Sequence, residues 1–283
     1  MNNKLRVTLI VLLSAVFAGS AGVIISRSIQ YKQGEETYNK AEQLVSMPNL
    51  SSLPRTASQA PASSGSSSAV YIDPYADILR RMDFTSLRKV NSDVVGWIVI
   101  PNTIVSYPLM QGKNNDFYLH YTWNKEQSAV GAIFLEYRNK RDLSDFNTIV
   151  YGHHMNNGSM FAALRFYKDK SYWQAHPAVY LTDDSGSHKY NIFAAYEVST
   201  QGDTYKLGFS NQAAKLNYIQ YCRNHSAIST GIAPTASDKI LTMSTCIGYG
   251  HATRWVVQAV LSGSEPSAKA EKAVSSSASL ASR

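Results

Sequence analysis

Two residues at the ends of apolar segments point to covalent chemistry. Cys246 ends the run that begins at Leu241, and Arg254 lies eight positions further on, at the head of a second apolar run. A thiol near a guanidinium combines a nucleophile with an anion stabiliser, the minimum for acyl transfer by cysteine. Because a free cysteine has a pKa near about 8.5, it also needs a base or a cationic neighbour to become a thiolate.

A candidate base lies upstream, where another apolar segment ends. The β-branched run 147–151 breaks at Gly152 and is followed by His153 and His154. Successive residues of an extended chain point to opposite sides, so normally only one of the two imidazoles can face the cysteine. Cysteine, histidine and arginine are therefore all predicted at strand ends.

The N-terminal segment is apolar enough to cross a membrane. The stretch from Val7 to Ser26 carries no charge and matches the roughly 20 residues that a membrane-spanning helix needs. Lys4 and Arg6 precede it, which favours a cytoplasmic N-terminus and a single-pass protein at the cell membrane with an extracellular catalytic domain. A cleaved secretory signal is the alternative, because small residues at 18–21 offer a cleavage position. Both interpretations export the domain.

The composition of the chain excludes some classes of binding partner and bound group. The net charge of +7 suits an anionic lipid or wall polymer, and no dense basic run or nucleic-acid motif is present, so we expect no nucleic-acid partner. Cys222 lies in a segment with helical spacing and is expected to pack rather than to form a disulfide with Cys246. The histidines and cysteines show no zinc-site spacing. We expect neither a metal nor another cofactor.

Composition also divides the chain into four parts. A stub and membrane anchor occupy 1–29, a juxtamembrane segment and flexible linker 30–70, the catalytic domain 71–262, and a low-complexity tail 263–283.

Strands dominate the predicted catalytic domain. They are bounded by Pro, Gly, Asn or Asp, and are expected at 96–100, 104–110, 131–137, 148–151, 178–181, 190–198, 240–246 and 255–261. Helices are expected at 75–82, 84–90, 160–167 and 211–222. Eight strands with few helices favour a mainly β, closed barrel, since closure removes exposed sheet edges.

Several ordered motifs carry a resemblance to a known family. They read Val-Val-Gly-Trp-Ile at 94–98, Tyr-Pro-Leu-Met-Gln at 107–111, Gly-Ala-Ile-Phe-Leu-Glu-Tyr-Arg-Asn at 131–139, Tyr-Gly-His-His-Met at 151–155 and Leu-Thr-Met-Ser-Thr-Cys at 241–246. Over roughly residues 75–262 the chain resembles the class B sortases, cysteine transpeptidases with a Thr-Leu-x-Thr-Cys strand. Met243 stands where leucine is usual in that signature.

The resemblance implies a fold and a set of site residues. The fold is an eight-stranded sortase-type β-barrel with N-terminal helices and a helix between the sixth and seventh strands. The catalytic residues are Cys246, His153, which follows the glycine, and Arg254. Substrate-binding positions are expected at Ser244, Thr245, His154 and Tyr249, and further contacts within 199–238.

The resemblance also implies partners. A sortase of a Gram-positive bacterium cleaves a C-terminal sorting signal of secreted proteins, here expected to be of the Asn-Pro-x-Thr kind, and joins them to an amine of a peptidoglycan precursor. Three alternatives stay open: a pilin-polymerising enzyme that uses a lysine amine, a hydrolytic cysteine peptidase of the cell wall, and a wall-associated binding domain without activity.

Overall fold

The computed structural model describes residues 3–50, 53, 73–246 and 252–268. Eight strands form a closed barrel in the order β1-β2-β3-β4-β7-β8-β6-β5. The strands are β1 (Val94–Val99), β2 (Ser106–Met110), β3 (Ile133–Leu135), β4 (Asn147–Gly152), β5 (Ala178–Asp183), β6 (Gly186–Ser199), β7 (Ile240–Cys246) and β8 (Thr253–Pro266). Each predicted strand is present, and the expected barrel is confirmed.

Two of the strand pairs are parallel, and one of them organises the end of the barrel discussed below. β2 pairs with β3 and β4 with β7 in parallel, whereas the other neighbours are antiparallel. The antiparallel pairing of β1 with β5 closes the barrel. Strand interiors are almost wholly buried, which explains why their sequences read as continuous apolar runs rather than as an alternation.

The short helices lie before the first strand and between the strands. They are α2 (Pro74–Leu79), α3 (Thr85–Val90), α4 (Phe117–His120) and α5 (Lys170–Ala175), with 3-10 helices at Ala162–Lys168 and Asp203–Tyr205. The helix expected over 160–167 is thus a 3-10 helix. α2 begins as its sequence predicts, because the Asp73 side chain accepts hydrogen bonds from the backbone of Tyr75 and Ala76, and Pro74 occupies the first turn.

The helix between β6 and β7 is α6 (Gln212–His225), capped by the Asn211 side chain. It buries Tyr218, Ile219 and Cys222 against a second apolar cluster under β6 and β8. The expected insertion helix is confirmed, and Cys222 is a packing residue with a free thiol.

The N-terminal helix, α1 (Asn3–Leu44), continues without a break from the apolar stretch to the barrel. Its first part is long and apolar enough to span a membrane. In its last part, Tyr38 donates a hydrogen bond to the Gly131 carbonyl at 2.5 Å, and the indole of Trp123 donates one to the Thr37 carbonyl at 2.9 Å. The Tyr38 ring also meets Tyr107 edge to face. The end of α1 is therefore packed on the barrel.

The barrel thus includes or contacts residues on both sides of the predicted catalytic domain. Besides the docked end of α1, β8 runs to Pro266, past residue 262. Most of the predicted linker (54–70) and the tail from 269 lie outside the described residues. The four-part division of the chain stays a prediction.

We expect removal of the docked part of α1 to destabilise the barrel. A fragment of residues 30–283 retains the buried Tyr38, Ala41 and Val45, whereas residues 54–283 lack them. Burying a side chain as large as Val45 or Tyr38 contributes ~1.5–3 kcal/mol, and Ala41 contributes less, so the shorter fragment should lose roughly 3 kcal/mol or more of its free energy of unfolding. Thermal melts of both fragments measure the difference, and equal midpoints would show that the α1 contacts contribute nothing.

Candidate active site

Three strand ends meet at one end of the barrel. In the parallel pair, Gly152 of β4 lies beside Thr245 of β7. His153 and Cys246 are the next residues after these two, so they follow at neighbouring positions of the two strands. In the antiparallel pair, Cys246 lies directly opposite Arg254 of β8. Neighbouring strands are about 4.8 Å apart, and directly opposed positions share one face of a sheet. The backbone register therefore brings the three predicted catalytic positions together.

A cavity of about 410 Å³ opens at this end of the barrel. Its walls include His153, Arg254, Ser244 and Thr245, four of the predicted site residues. The other lining residues are Asn115, Leu119, Phe134, Glu136, Arg138, Tyr151, Gly152, Thr200 and Tyr205. Tyr249, which the sequence predicts to contact substrate, lies outside the described residues.

The His153 ring is held in one orientation by its neighbours. Its Nε2 donates a hydrogen bond to the Leu119 carbonyl at 2.7 Å, and because a carbonyl oxygen only accepts, Nε2 carries a proton. Gly131, in the left-handed region at φ 61°, lies so close that a Cβ there would come within 2.9 Å of the ring. Nδ1 is then the ring nitrogen left to accept a proton.

The surroundings of His153 favour its neutral form. Burial lowers the pKa of the imidazole, and the positive charges of His120 and Arg254 lower it further. The hydrogen bond to Leu119 opposes these effects without reversing them. At neutral pH the ring is therefore predominantly an uncharged base.

The lowered pKa of His153 predicts how the rate of peptide cleavage depends on pH. The thiol and the imidazole together must lose one proton from their fully protonated state before peptide cleavage can occur. The cleavage rate should therefore fall on the acid side as His153 becomes protonated. Because the pKa of His153 lies below its ordinary value of about 6.5, we expect the acid limb of kcat/KM to have its midpoint below that pH. A midpoint above 6.5 would contradict this description of the site, and His154→Ala should leave the midpoint unchanged.

His154 lies elsewhere. It lines a separate cleft between the barrel and α1, and its backbone forms a bridge to Met160. Its Nε2 is buried and has no hydrogen-bond partner within the described part of the chain. Burial, followed by the charge of Arg165, lowers the pKa of this imidazole too. Both adjacent histidines border the cleft beside α1, but only His153 also lines the cavity that contains Arg254.

Ser244 and Thr245 line the cavity and directly precede Cys246 in β7. The Ser244 hydroxyl lies 2.9 Å from the Tyr205 hydroxyl, which ties β7 to the segment between β6 and α6. Thr245 is buried, and its Oγ1 has no hydrogen-bond partner among the described residues. Thr200 and Tyr205 also lie in the segment 199–238, where the resemblance implies substrate contacts.

Arg254 is half-buried at the start of β8, and its Nη1 donates a hydrogen bond to the Thr253 carbonyl at 3.0 Å. We expect Arg254→Lys to lower kcat/KM by about 10²–10³-fold, although the charge is kept. A guanidinium offers a planar fork of donors, whereas an ammonium is a compact, strongly hydrated charge. Arg138→Lys, a matched change at the other guanidinium of the cavity, should cost less. Near-normal turnover of Arg254→Lys would show that Arg254 acts only through its long-range charge.

A buried carboxylate completes the cavity wall and was assigned no role from sequence. Glu136 is fully buried and accepts hydrogen bonds from Arg138 Nε at 2.7 Å, Asn115 Nδ2 at 2.6 Å and the Tyr151 hydroxyl at 3.0 Å. Burial alone raises the pKa of this carboxyl, but the three donors outweigh it and hold the pKa below its ordinary value. Glu136 therefore anchors three side chains that line the cavity. A charged residue at the end of an apolar strand is the signal that could have identified it.

The other cysteine, Cys222, has an unreactive thiol. Cys222 is buried in α6, and burial raises the pKa of its thiol to about 11 despite hydrogen bonds from Tyr196, Gln258 and Tyr218. A thiol with this pKa is almost entirely protonated at neutral pH.

Comparison with known proteins places this geometry in a family. The sequence profile of the sortase domain family matches residues 98–262 of this chain. Sortase B of Listeria monocytogenes is 38% identical over 166 residues, which cover 59% of this chain and 68% of the relative. Among solved structures, a Staphylococcus aureus sortase B–substrate complex is 28% identical with a TM-score of 0.66, covering 83% of this chain and 98% of that one. Sortase B from B. anthracis is 26% identical with the same TM-score of 0.66, covering 82% and 98%. With its strand order, its insertion helix and these matches, the chain belongs to class B of the sortases, a family of cysteine transpeptidases.

Proposed function

We propose that this protein cleaves a C-terminal sorting signal of the Asn-Pro-x-Thr kind in secreted proteins and transfers them to an amino group of a peptidoglycan precursor. The observation that carries the proposal is the meeting of β4, β7 and β8, where His153 and Arg254 line one cavity beside the backbone of Cys246. Nucleophile, base and anion stabiliser then act on one carbonyl.

The first half of the reaction forms a thioester. His153 first accepts the proton of the Cys246 thiol. The resulting thiolate attacks the carbonyl carbon of the threonine, and the Arg254 guanidinium stabilises the negative charge that develops on the oxygen. The carbon–nitrogen bond then breaks. His153 supplies a proton to the departing amine, which leaves as a neutral molecule. The remaining acyl chain is bonded to the sulfur.

The second half reverses these steps with a different amine. The acceptor nitrogen attacks the thioester carbonyl, loses a proton to His153 and displaces the thiolate, so that an amide forms. The imidazolium then returns its proton to the sulfur, which restores the starting state of the enzyme. Because the same imidazole acts on both amines, the acceptor must approach from a side that His153 borders.

The N-terminal helix supports a location at the cell membrane. The uncharged stretch Val7 to Ser26 lies within α1, and none of its 18-residue apolar window is buried against the barrel. We propose a single-pass anchor with the catalytic domain outside the cell, as Lys4 and Arg6 on the N-terminal flank favour.

The test is a product analysis with the full chain in detergent. Sorting peptides of different sequence are combined with a glycine oligomer, a wall-type peptide amine, a pilin peptide containing lysine, or no amine, and the products are identified by mass spectrometry. We expect an amide joining the threonine to a wall-type amine. Joining to lysine alone would identify a pilin-polymerising enzyme. Hydrolysis with every amine would identify a peptidase, and no cleavage of any peptide would contradict the enzymatic proposal.

A further inference from the structure

The backbone of Gly131, just before β3, lies against the His153 imidazole. A Cβ at Gly131 would come within 2.9 Å of the His153 ring, 2.7 Å of the Tyr118 carbonyl oxygen and 2.9 Å of the Leu119 carbonyl oxygen. The Leu119 carbonyl is the group that accepts the hydrogen bond from His153 Nε2. Gly131 therefore borders both the imidazole and the acceptor that orients it, and a shift of this glycine would shift both.

The docked end of α1 holds this glycine in place. The Tyr38 hydroxyl donates a hydrogen bond to the Gly131 carbonyl at 2.5 Å, and the bond is buried. One turn earlier, a Cβ at Gly34 would come within 2.9 Å of the Val130 side chain, so the helix backbone itself packs on the residue before Gly131. Two successive residues of the segment that borders the imidazole are thus in contact with α1.

The ring of Tyr38 reaches the backbone of His153 by a second route. It meets the Tyr107 ring edge to face, with the centroids 5.1 Å apart. The Tyr107 hydroxyl accepts a hydrogen bond from the Met160 backbone at 2.9 Å, and the next residue, Phe161, donates its N–H to the His153 carbonyl at 2.9 Å. Tyr38 is therefore linked to the ring of His153 through Gly131 and to its backbone through Tyr107.

We propose that Tyr38 is a positioning residue for transpeptidation, which holds Gly131 against the imidazole of His153 from the end of α1. The inference rests on the proposed function, in which His153 transfers protons to and from the sulfur and both amines. Among the described residues, none of α1 lines the cavity that contains Arg254, so Tyr38 acts through its neighbours and not on the peptide. Tyr38 also lies outside the predicted catalytic domain 71–262.

The test compares two variants of the full chain in detergent. Tyr38→Phe removes the hydroxyl that holds Gly131 and keeps the ring that packs on Tyr107. Tyr167→Phe is the matched control, because the Tyr167 ring is also fully buried and its hydroxyl also donates to a backbone carbonyl, that of His176 at 2.8 Å. Each variant loses one hydrogen bond of the same type, so thermal melts should show similar, small losses of stability.

The first readout is single-turnover acylation by a sorting peptide at increasing peptide concentration. We expect Tyr38→Phe to lower the maximal acylation rate by about tenfold and to change the half-saturating peptide concentration by less than about twofold, because a displaced imidazole transfers protons poorly while peptide contacts are kept. Tyr167→Phe should match the unchanged protein in both values.

The second readout observes the imidazole without any substrate. In full chain labelled with ¹⁵N-histidine, the His153 Nε2–H signal is assigned by its loss in His153→Ala, and its exchange with water is measured by NMR. We expect exchange to be about tenfold faster in Tyr38→Phe, because the hydrogen bond to Leu119 opens more often when Gly131 is not held. The signal in Tyr167→Phe should exchange at the normal rate.

Three outcomes would overturn the inference. The first is normal exchange of the Nε2–H in Tyr38→Phe, and the second is faster exchange without slower acylation. The third is an equal loss of acylation in Tyr38→Phe and Tyr167→Phe, which would show a general effect of stability. An unchanged protein that forms no acyl-enzyme with any sorting peptide would instead refute the proposed function, while the exchange rate would still show whether Tyr38 holds the imidazole.

Discussion

Cys246→Ala should abolish cleavage of a sorting peptide, whereas Cys222→Ala should leave it largely intact. Cys246 ends β7 opposite Arg254 and one strand from His153, while Cys222 is buried in α6 with a thiol pKa raised to about 11. Loss of the nucleophile removes the covalent route, so we expect the rate to fall below about 10⁻⁴ of normal.

The measurement is kcat/KM for peptide cleavage, with circular dichroism as the check on folding. Cys222→Ala opens space beside Tyr218 and Ile219, so a small loss of stability is expected there without a loss of activity. An equal loss of activity in both folded variants would show that the two sulfurs act together, and that Cys246 is not a lone nucleophile.

The second large effect separates the adjacent histidines. His153→Ala should slow acylation by about 10²–10⁴-fold, the usual contribution of a positioned acid or base. His154→Ala should have a far smaller effect, because His154 lines the cleft beside α1 rather than the cavity that contains Arg254.

Single-turnover acylation is the appropriate measurement, since it isolates the step in which we propose that His153 protonates the leaving amine. His154→Ala is the matched control, with the same substitution one residue away. If His154→Ala slowed acylation more than His153→Ala, the register at the end of β4 would be inverted relative to the structure.

Most of the barrel could be predicted from sequence because the interiors of its strands are largely buried and the strands are clearly bounded. The runs ending at Met110 and Tyr151, and the run starting at Ile240, are rich in β-branched or aromatic residues and stop at polar or glycine positions. β3 is shorter than predicted. Gly131 takes a positive φ, and the Ala132 N–H donates to the Tyr118 carbonyl of α4 rather than to a strand, so β3 starts only at Ile133.

The docking of α1 could not be predicted in this way. The buried residues of the docked segment, Gly34, Thr37, Tyr38 and Ala41, do have helical spacing, but most of them are small or polar, so they form only a weak apolar stripe. Besides the burial of Ala41 and Val45, the contacts include two hydrogen bonds to distant backbone carbonyls and one pair of aromatic rings. Hydrogen bonds of this kind leave no periodic pattern in the sequence.

The site was predictable to the extent that strand ends determine it. His153, Cys246 and Arg254 follow from apolar runs that stop next to reactive residues, and the parallel register of β4 and β7 then brings the first two together. Glu136 and the cleft beside α1 depend on tertiary contacts and were not found. The roles of His153, Arg254 and the substrate-binding residues stay predictions.

Intact mass spectrometry of the acyl-enzyme tests the central claim most directly. The full chain is mixed with a cognate sorting peptide in the absence of an amine, quenched with acid and weighed, and then digested to find the modified residue. We expect the protein mass to increase by that of the peptide fragment ending at threonine, with the label on Cys246, and to return to its starting value when an amine is added. A peptide that is cleaved without any adduct, or an adduct on another residue, would contradict a thioester mechanism at Cys246.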